Sequence, residues 1–221
     1  MATDRLKIYN GALLICGERS LAALTDNNEP RRILDEVWND GGVRNCLEQA
    51  QWKFAMVSAK LSYETAINPS FGYRRAFAKS TDWVLTSAVC VDEYFNTPLT
   101  QYSDEVGYWF ADHDEIYVKY VSDGASYGAN LAAWPSTFTE YVKSYFAGRI
   151  ILKLTADKGR RDAILAPREG ILSRNLLLAK SRDAMTDPPK FFPSGTWSSA
   201  RRGDGRGGRF GDGGSSGNLI G

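Results

Sequence analysis

Apolar positions near the start of the chain recur at helical spacing. Leu6, Tyr9, Leu13 and Cys16 lie three or four apart, with Ile8, Ala12 and Ile15 beside them. The Thr3-Asp4 pair predicts a cap for this helix, and Gly17 marks its end. Asn27 and Asn28 offer a second cap, and Pro30 falls in a first turn that tolerates it. Ile33, Leu34, Val37 and Trp38 continue an apolar stripe. Gly41-Gly42 interrupts it, and Leu47 and Ala50 predict that it resumes.

The period changes after Trp52. Ala55, Val57, Ala59, Leu61 and Tyr63 alternate with Met56, Ser58, Lys60 and Ser62, a repeat of two. Tyr108 and Phe110 predict another strand, and Ile116, Val118 and Tyr120 a third. The polar run Asp112-His113-Asp114-Glu115 between them predicts the turn of a hairpin. Val84 to Val91 is a further short strand or buried run. Residues 52–134 thus form a β-rich insertion, with a small, mostly antiparallel sheet over 52–122.

Helical spacing returns after Pro135. Phe138, Tyr141, Val142, Tyr145, Phe146 and Leu152 form a stripe, with a stop at Gly159. A fourth helical stretch carries Ile171, Leu172, Leu176, Leu178, Ala179 and Met185. Pro167 and Gly170 leave two readings of its start: one kinked helix, or a turn before a helix near Pro167. The predicted class is α+β, mainly α. An antiparallel bundle of about four helices (1–51 and 135–186) would carry the β-insertion and an extended arm, 187–221.

That arm begins after Asp187-Pro188-Pro189 and has no core-forming period. Phe191, Phe192 and Trp197 precede a Gly/Arg-rich run with Arg201, Arg202, Arg206, Arg209 and Phe210. Large aromatics give such a segment a means of docking on a partner; the alternative is that they fold back on the bundle. Arg206-Gly207-Gly208-Arg209-Phe210 also resembles Arg-Gly-Gly segments of RNA-binding proteins, so nucleic-acid binding through the tail is the alternative function.

Composition narrows the partners. A formal charge of +1 lacks the excess of Lys and Arg expected of a basic nucleic-acid binder. Three cysteines far apart, Cys16, Cys46 and Cys90, read as buried free thiols in a reducing cytosol. No apolar run reaches the length of about 18 residues that a membrane span needs, and the start lacks a signal-peptide pattern.

Candidate chemistry is sparse. The single histidine, His113, sits between Asp112 and Asp114 in a predicted exposed turn, with no spaced second ligand for a metal. Any Ser-His or Cys-His pair would have to use it. Asp92-Glu93 and Asp104-Glu105 read as a charged loop or a subunit contact. No phosphate-cradling glycine loop opens a helix. No catalytic, metal or cofactor site is therefore assigned, and the chain is read as non-enzymatic. Of the aromatic set Trp83, Trp109, Trp134, Tyr73, Tyr94 and Tyr102, most should pack internally and some should be interface anchors.

One series of residues is distinctive. Phe71-Gly72-Tyr73-Arg74-Arg75-Ala76-Phe77-Ala78-Lys79-Ser80-Thr81-Asp82-Trp83-Val84 is followed by Asp92-Glu93-Tyr94-Phe95 and by Leu99-Thr100-Gln101-Tyr102-Ser103-Asp104-Glu105. Earlier come Tyr9-Asn10-Gly11-Ala12-Leu13, Glu29-Pro30-Arg31-Arg32 and Trp52-Lys53-Phe54-Ala55; later come Tyr117-Val118-Lys119-Tyr120 and Trp134-Pro135. This series resembles the head-to-tail adaptor, or tail tubular protein A, family of short-tailed bacteriophages. Tyr73, Phe77, Asp82, Trp83, Tyr94, Phe95 and Tyr102 carry it most clearly.

The resemblance implies a virion tail protein assembled in the host bacterial cytoplasm, with a helical bundle and an inserted β-region. It implies a ring of twelve copies docked under the portal protein, with the tail nozzle protein below and tail fibres as a further neighbour. Genomic DNA would pass through the lumen without specific binding. The arm, with Phe191, Phe192, Trp197, Arg201, Arg202, Arg206, Arg209 and Phe210, would dock on the portal.

Overall fold

A computed structural model describes residues 3–70 and 72–186, which belong to one compact unit ending at Thr186. Among the described residues there are six helices: α1 (Arg5–Cys16), α2 (Glu29–Asn39), α3 (Gly42–Leu47), α4 (Ser136–Thr155), α5 (Lys158–Leu165) and α6 (Ile171–Ala184). There are six strands: β1 (Met56–Ser62), β2 (Arg75–Ala78), β3 (Trp83–Cys90), β4 (Ser103–Glu105), β5 (Tyr108–Ala111) and β6 (Glu115–Ser122). They pair as two three-stranded antiparallel sheets, β1-β6-β3 and β2-β5-β4.

This corrects the expected fold class. The chain is a mixed α+β fold and not a four-helix bundle carrying one small sheet. The β-region has a hydrophobic core of its own: Phe77, Val89, Leu99, Trp109, Ala111, Ile116, Val118 and Tyr120 form a cluster separate from the helical one. Two layers facing each other can bury an apolar face that a single small sheet would leave wet.

The expected hairpin of β5 and β6 is also corrected. The two strands are consecutive, but Asp112–Asp114 carries the chain from one sheet to the other. Pairing them would put Trp109, Ala111, Ile116 and Val118 in one sheet. Placing them in opposite sheets lets them pack against one another, and all four are fully buried. Alternation then assigns the faces. In β5, Trp109 and Ala111 point inward, and the half-buried Tyr108 and Phe110 outward. In β6, Ile116, Val118 and Tyr120 are inward, and Tyr117 and Lys119 outward.

The helical core gathers around α4, which contacts all five other helices. Its buried face includes Phe138, Tyr141, Val142, Phe146, Ile150 and Ile151. Trp52 and Trp134 pack edge-on to Phe138, with centroids 4.8 and 4.9 Å away. α1 ends where expected: Gly17 has φ +76°, and its N–H and that of Glu18 reach back to Leu14 and Leu13 at 3.0 and 2.9 Å.

The C-terminal helices differ from expectation in two places. α4 stops at Thr155, because Ala156 turns left-handed at φ 53°. Gly159 lies inside α5, whose first turn is capped by the Asp157 carboxylate accepting from Arg160 N–H at 3.0 Å. α6 begins after Gly170 rather than near Pro167. Its inward residues are Leu172, Leu176 and Ala179, whereas Ile171, Leu178 and Met185 of the expected stripe are exposed. No described helix is long and apolar enough to cross a membrane.

Candidate assembly surfaces

The signature residues fall in the β-region, but they do different work there. Phe77 of β2 is fully buried in the sheet core, and Tyr102 packs against the same cluster. Trp83 opens β3 and meets Trp109 edge-on, with centroids 6.4 Å apart.

The Thr86 hydroxyl accepts the indole N–H of both Trp83 and Trp109 at 3.1 Å and donates to Asp104 Oδ2 at 2.7 Å. The Trp109 N–H also points at Asp104 Oδ2, 3.1 Å away. Asp104 completes its set with an ion pair to Lys79. The Lys79 side chain is only 5% exposed, and its ammonium lies 3.9 Å from the Trp83 ring centroid. Burial works against ionisation of Asp104, but the bonds from Lys79, Thr86 and Trp109 outweigh it and hold the carboxyl below its ordinary range. Asp104 is therefore not the charged-loop residue expected of the Asp104-Glu105 pair. It lies in β4 and ties two sheet edges together.

Asp82 occupies the joint between the β-region and the helices. Its carboxylate accepts from Ser80 and Ser122 and from the Tyr120 hydroxyl at 3.3 Å. Burial opposes ionisation, but these donors and its own backbone N–H lower its pKa. Arg44 of α3 spans the same joint, donating to the Trp83 carbonyl at 2.7 Å and pairing with Asp123. Asp82 thus ties the start of β3 to the end of β6, and the Trp83 carbonyl ties β3 to α3.

The remaining signature residues are at the surface. Tyr94 is 75% exposed. It stands on a loop held by the Asp92 carboxylate, which accepts the N–H groups of Asn96 at 3.0 Å and Thr97 at 2.7 Å. Phe95 follows at φ 56°, a conformation seldom adopted by a bulky residue. The Lys119 ammonium covers its ring at 4.6 Å. Lys119 points out of β1-β6-β3, so Phe95 and Tyr94 sit on that sheet's outer side.

Tyr73 lies on the opposite side. With Pro69, Ser70, Phe110 and the outward residues Ser103 and Glu105 of β4, it lines a largely apolar cleft of about 360 Å³ on the outer side of β2-β5-β4.

Two other surfaces lack a described neighbour. α6 exposes Leu177 and Leu178 at 69 and 59%, and Met185 just past its end is 70% exposed. A groove of about 890 Å³ runs between α2, α4 and α5, with Leu152 and Leu165 inside it and the pairs Lys153–Glu36 and Arg149–Asp40 across it. Sequence reasoning missed the groove, because its walls come from helices more than a hundred residues apart.

Of the other expected residues, His113 is exposed in the 112–114 crossover. Among the described residues no group of three His, Cys, Asp or Glu could hold a metal ion. Cys16, Cys46 and Cys90 are buried and free, as the sequence reading expected. Burial pushes the Cys16 thiol up to about 11 and Cys46 higher still. The arm residues Phe191, Phe192, Trp197, Arg201, Arg202, Arg206, Arg209 and Phe210 lie outside the described residues, as does Phe71.

Comparison with protein-family models and with curated proteins finds no match for this chain.

Proposed function

We propose that this chain is a structural, non-enzymatic subunit of a phage head-to-tail adaptor. Copies of it, twelve in the family it resembles, form a ring between the portal and the tail nozzle, around a channel for DNA. The observation that carries the reading is the division of labour within the signature residues. Phe77, Asp82, Trp83 and Tyr102 build or join the β-region, whereas Tyr94 is exposed on one side of it and the half-buried Tyr73 lines a cleft on the other. A subunit of a closed ring needs two different faces, one for each neighbour. Exposed aromatics are effective anchors for such faces.

The near-neutral charge supports the same reading. A conduit that gripped phosphates through many Lys and Arg side chains would slow the passage of DNA.

The test is native mass spectrometry of the full chain at low micromolar concentration, alone and mixed with the portal protein of the same phage. Monomer alone and addition of a ring of copies to the portal is the expected result. No association with the portal would overturn the reading.

A further inference from the structure

We infer that neighbouring copies of this chain join head to tail, with the acidic Tyr94 loop of one copy seated on the basic outward face of α6 of the next. This rests on the adaptor reading for its biological setting and deepens it by naming the subunit contact.

The outward face of α6 is built like half of an interface. Arg174, Leu178 and Arg182 are spaced four apart and form one exposed row, with Leu177 and Ser181 beside it and Lys180 on the flank. Both leucines keep most of their surface in water. No carboxylate shares this face: Asp183, the one acid of α6, points the other way and accepts the Lys53 N–H at 2.9 Å. Among the described residues Arg174, Lys180 and Arg182 have no ion-pair partner, whereas the exposed cations Lys60, Arg149 and Lys153 each have one. Apolar side chains set among unpaired cations fit a partner that is both apolar and acidic.

The β-region of a second copy has that chemistry. The formal charge of +1 conceals a segregation along the chain: residues 143–186 carry ten Lys and Arg against four Asp and Glu, and residues 56–122 carry five against nine. A subunit with such poles attracts its own copies pole to opposite pole. Within the acidic pole, the Tyr94 loop joins a 75% exposed aromatic ring to the exposed Glu93 and to Asp92. Among the described residues Glu93 has no ion-pair partner, and the nearby Lys119 ammonium is taken up by the Phe95 ring. The Asp92 carboxylate already accepts two backbone N–H groups of this loop, so docking has little left to order. Tyr94 then lies on Leu177 and Leu178, and Glu93 meets Lys180 and its neighbouring arginines.

Both halves are exposed in the same copy, so neither covers the other at home. The contact joins two unlike surfaces, as a heterologous interface that repeats from copy to copy requires.

The experiment is zero-length cross-linking of the full chain with a water-soluble carbodiimide, at a few hundred micromolar and again on the portal. The reagent activates the Glu93 carboxylate, the Lys180 amine displaces it to form an amide, and the reagent leaves as its urea. Equal parts of unlabelled and isotope-labelled chain are mixed, and the products are read by peptide mass spectrometry. A Glu93–Lys180 peptide with one light and one heavy half is expected, together with covalent species larger than the dimer. Arg174→Glu combined with Arg182→Glu should lower its yield by about tenfold or more. Glu93→Lys combined with Lys180→Glu should restore the amide with its polarity reversed. Circular dichroism melting at the parent temperature guards against misfolding.

Absence of the mixed peptide in both settings overturns the contact, as does a yield unmoved by the charge reversal. Products that stop at the dimer would mean reciprocal two-fold pairing and overturn it too. Binding of duplex DNA or phosphatidylglycerol vesicles in place of the cross-link, lost in the Arg174→Glu, Arg182→Glu variant, would give the face to a polyanion with the same consequence. The adaptor reading is separable: a ring on the portal without the mixed peptide removes only this contact, and the mixed peptide without portal binding removes only that reading.

Discussion

The hydroxyl of Thr86 donates to Oδ2 of Asp104 at 2.7 Å, and this bond links an edge strand of one sheet to an edge strand of the other. β3 and β4 are edge strands of their respective sheets, so the bond holds the two layers together at one margin. Lys79, Trp83 and Trp109 complete a polar network around the link, with the lysine nearly removed from water.

Breaking this network should cost more from the acid side than from the base side. Asp104→Asn leaves the buried Lys79 ammonium without its counter-charge and should lower stability by about 2–3 kcal/mol, less than a fully enclosed pair would lose. Lys79→Met leaves a carboxylate that is about one-third exposed and still holds two donors, so its loss should be smaller. Urea denaturation of the two variants gives the order, and the reverse order would contradict this account.

Asp104 and Asp82 both have folded-state pKa values below those of a free carboxyl group. Such groups contribute stability that is fully present above the unfolded value of about 3.9 and is lost as pH falls through the folded value. Unfolding midpoints measured from pH 7 down to pH 2 should therefore drop on the acid side. Asp104→Asn should show a shallower drop than the parent.

A second network joins α1 to α2. The Tyr9 hydroxyl accepts from Arg5 Nε and donates to Asp35 Oδ1, each at 2.8 Å, while Arg31 binds the other carboxylate oxygen at 2.9 Å. Burial, reinforced by the Asp35 bond, raises the Tyr9 pKa and keeps the phenol protonated as a donor. Tyr9→Phe keeps the ring among Trp38 and Phe146 but removes both bonds. A loss of about 1–2 kcal/mol with an unchanged denaturant slope is expected.

Ala156 ends α4 at φ 53°, where a Cβ atom is crowded by the following carbonyl. Ala156→Gly should relieve that crowding at some cost in unfolded-chain entropy. A net gain of about 0.5 kcal/mol is expected, read as a melting temperature higher by about 1–2 °C. A lower melting temperature would show that the turn is not strained.

Truncation after Pro189 should leave a folded monomer, with circular dichroism like the parent's, that no longer joins the portal. Portal binding at parental affinity would remove the docking role that the family resemblance implies for Phe191, Phe192 and Trp197.

Local order was legible in the chain itself. The repeat of Leu6, Tyr9, Leu13 and Cys16 and the glycine at 17 specify α1, because helix period and left-handed caps are properties of neighbouring residues. The repeat of two after Trp52 likewise specifies β1. The short strands β2 and β4, at four and three residues, carry too little alternation to be read, and exist because β5 pairs with both.

Tertiary structure alone decided which strand pairs with which. Adjacency of β5 and β6 suggested a hairpin, but burying Trp109 and Ala111 against Ile116 and Val118 required two layers. It alone brought Lys79, Thr86 and Asp104 together, and it alone put Tyr94 and Tyr73 on opposite faces. Periodicity says that a residue has a side. Only packing of one sheet on another says what that side meets, because burial of apolar area depends on partners distant along the chain.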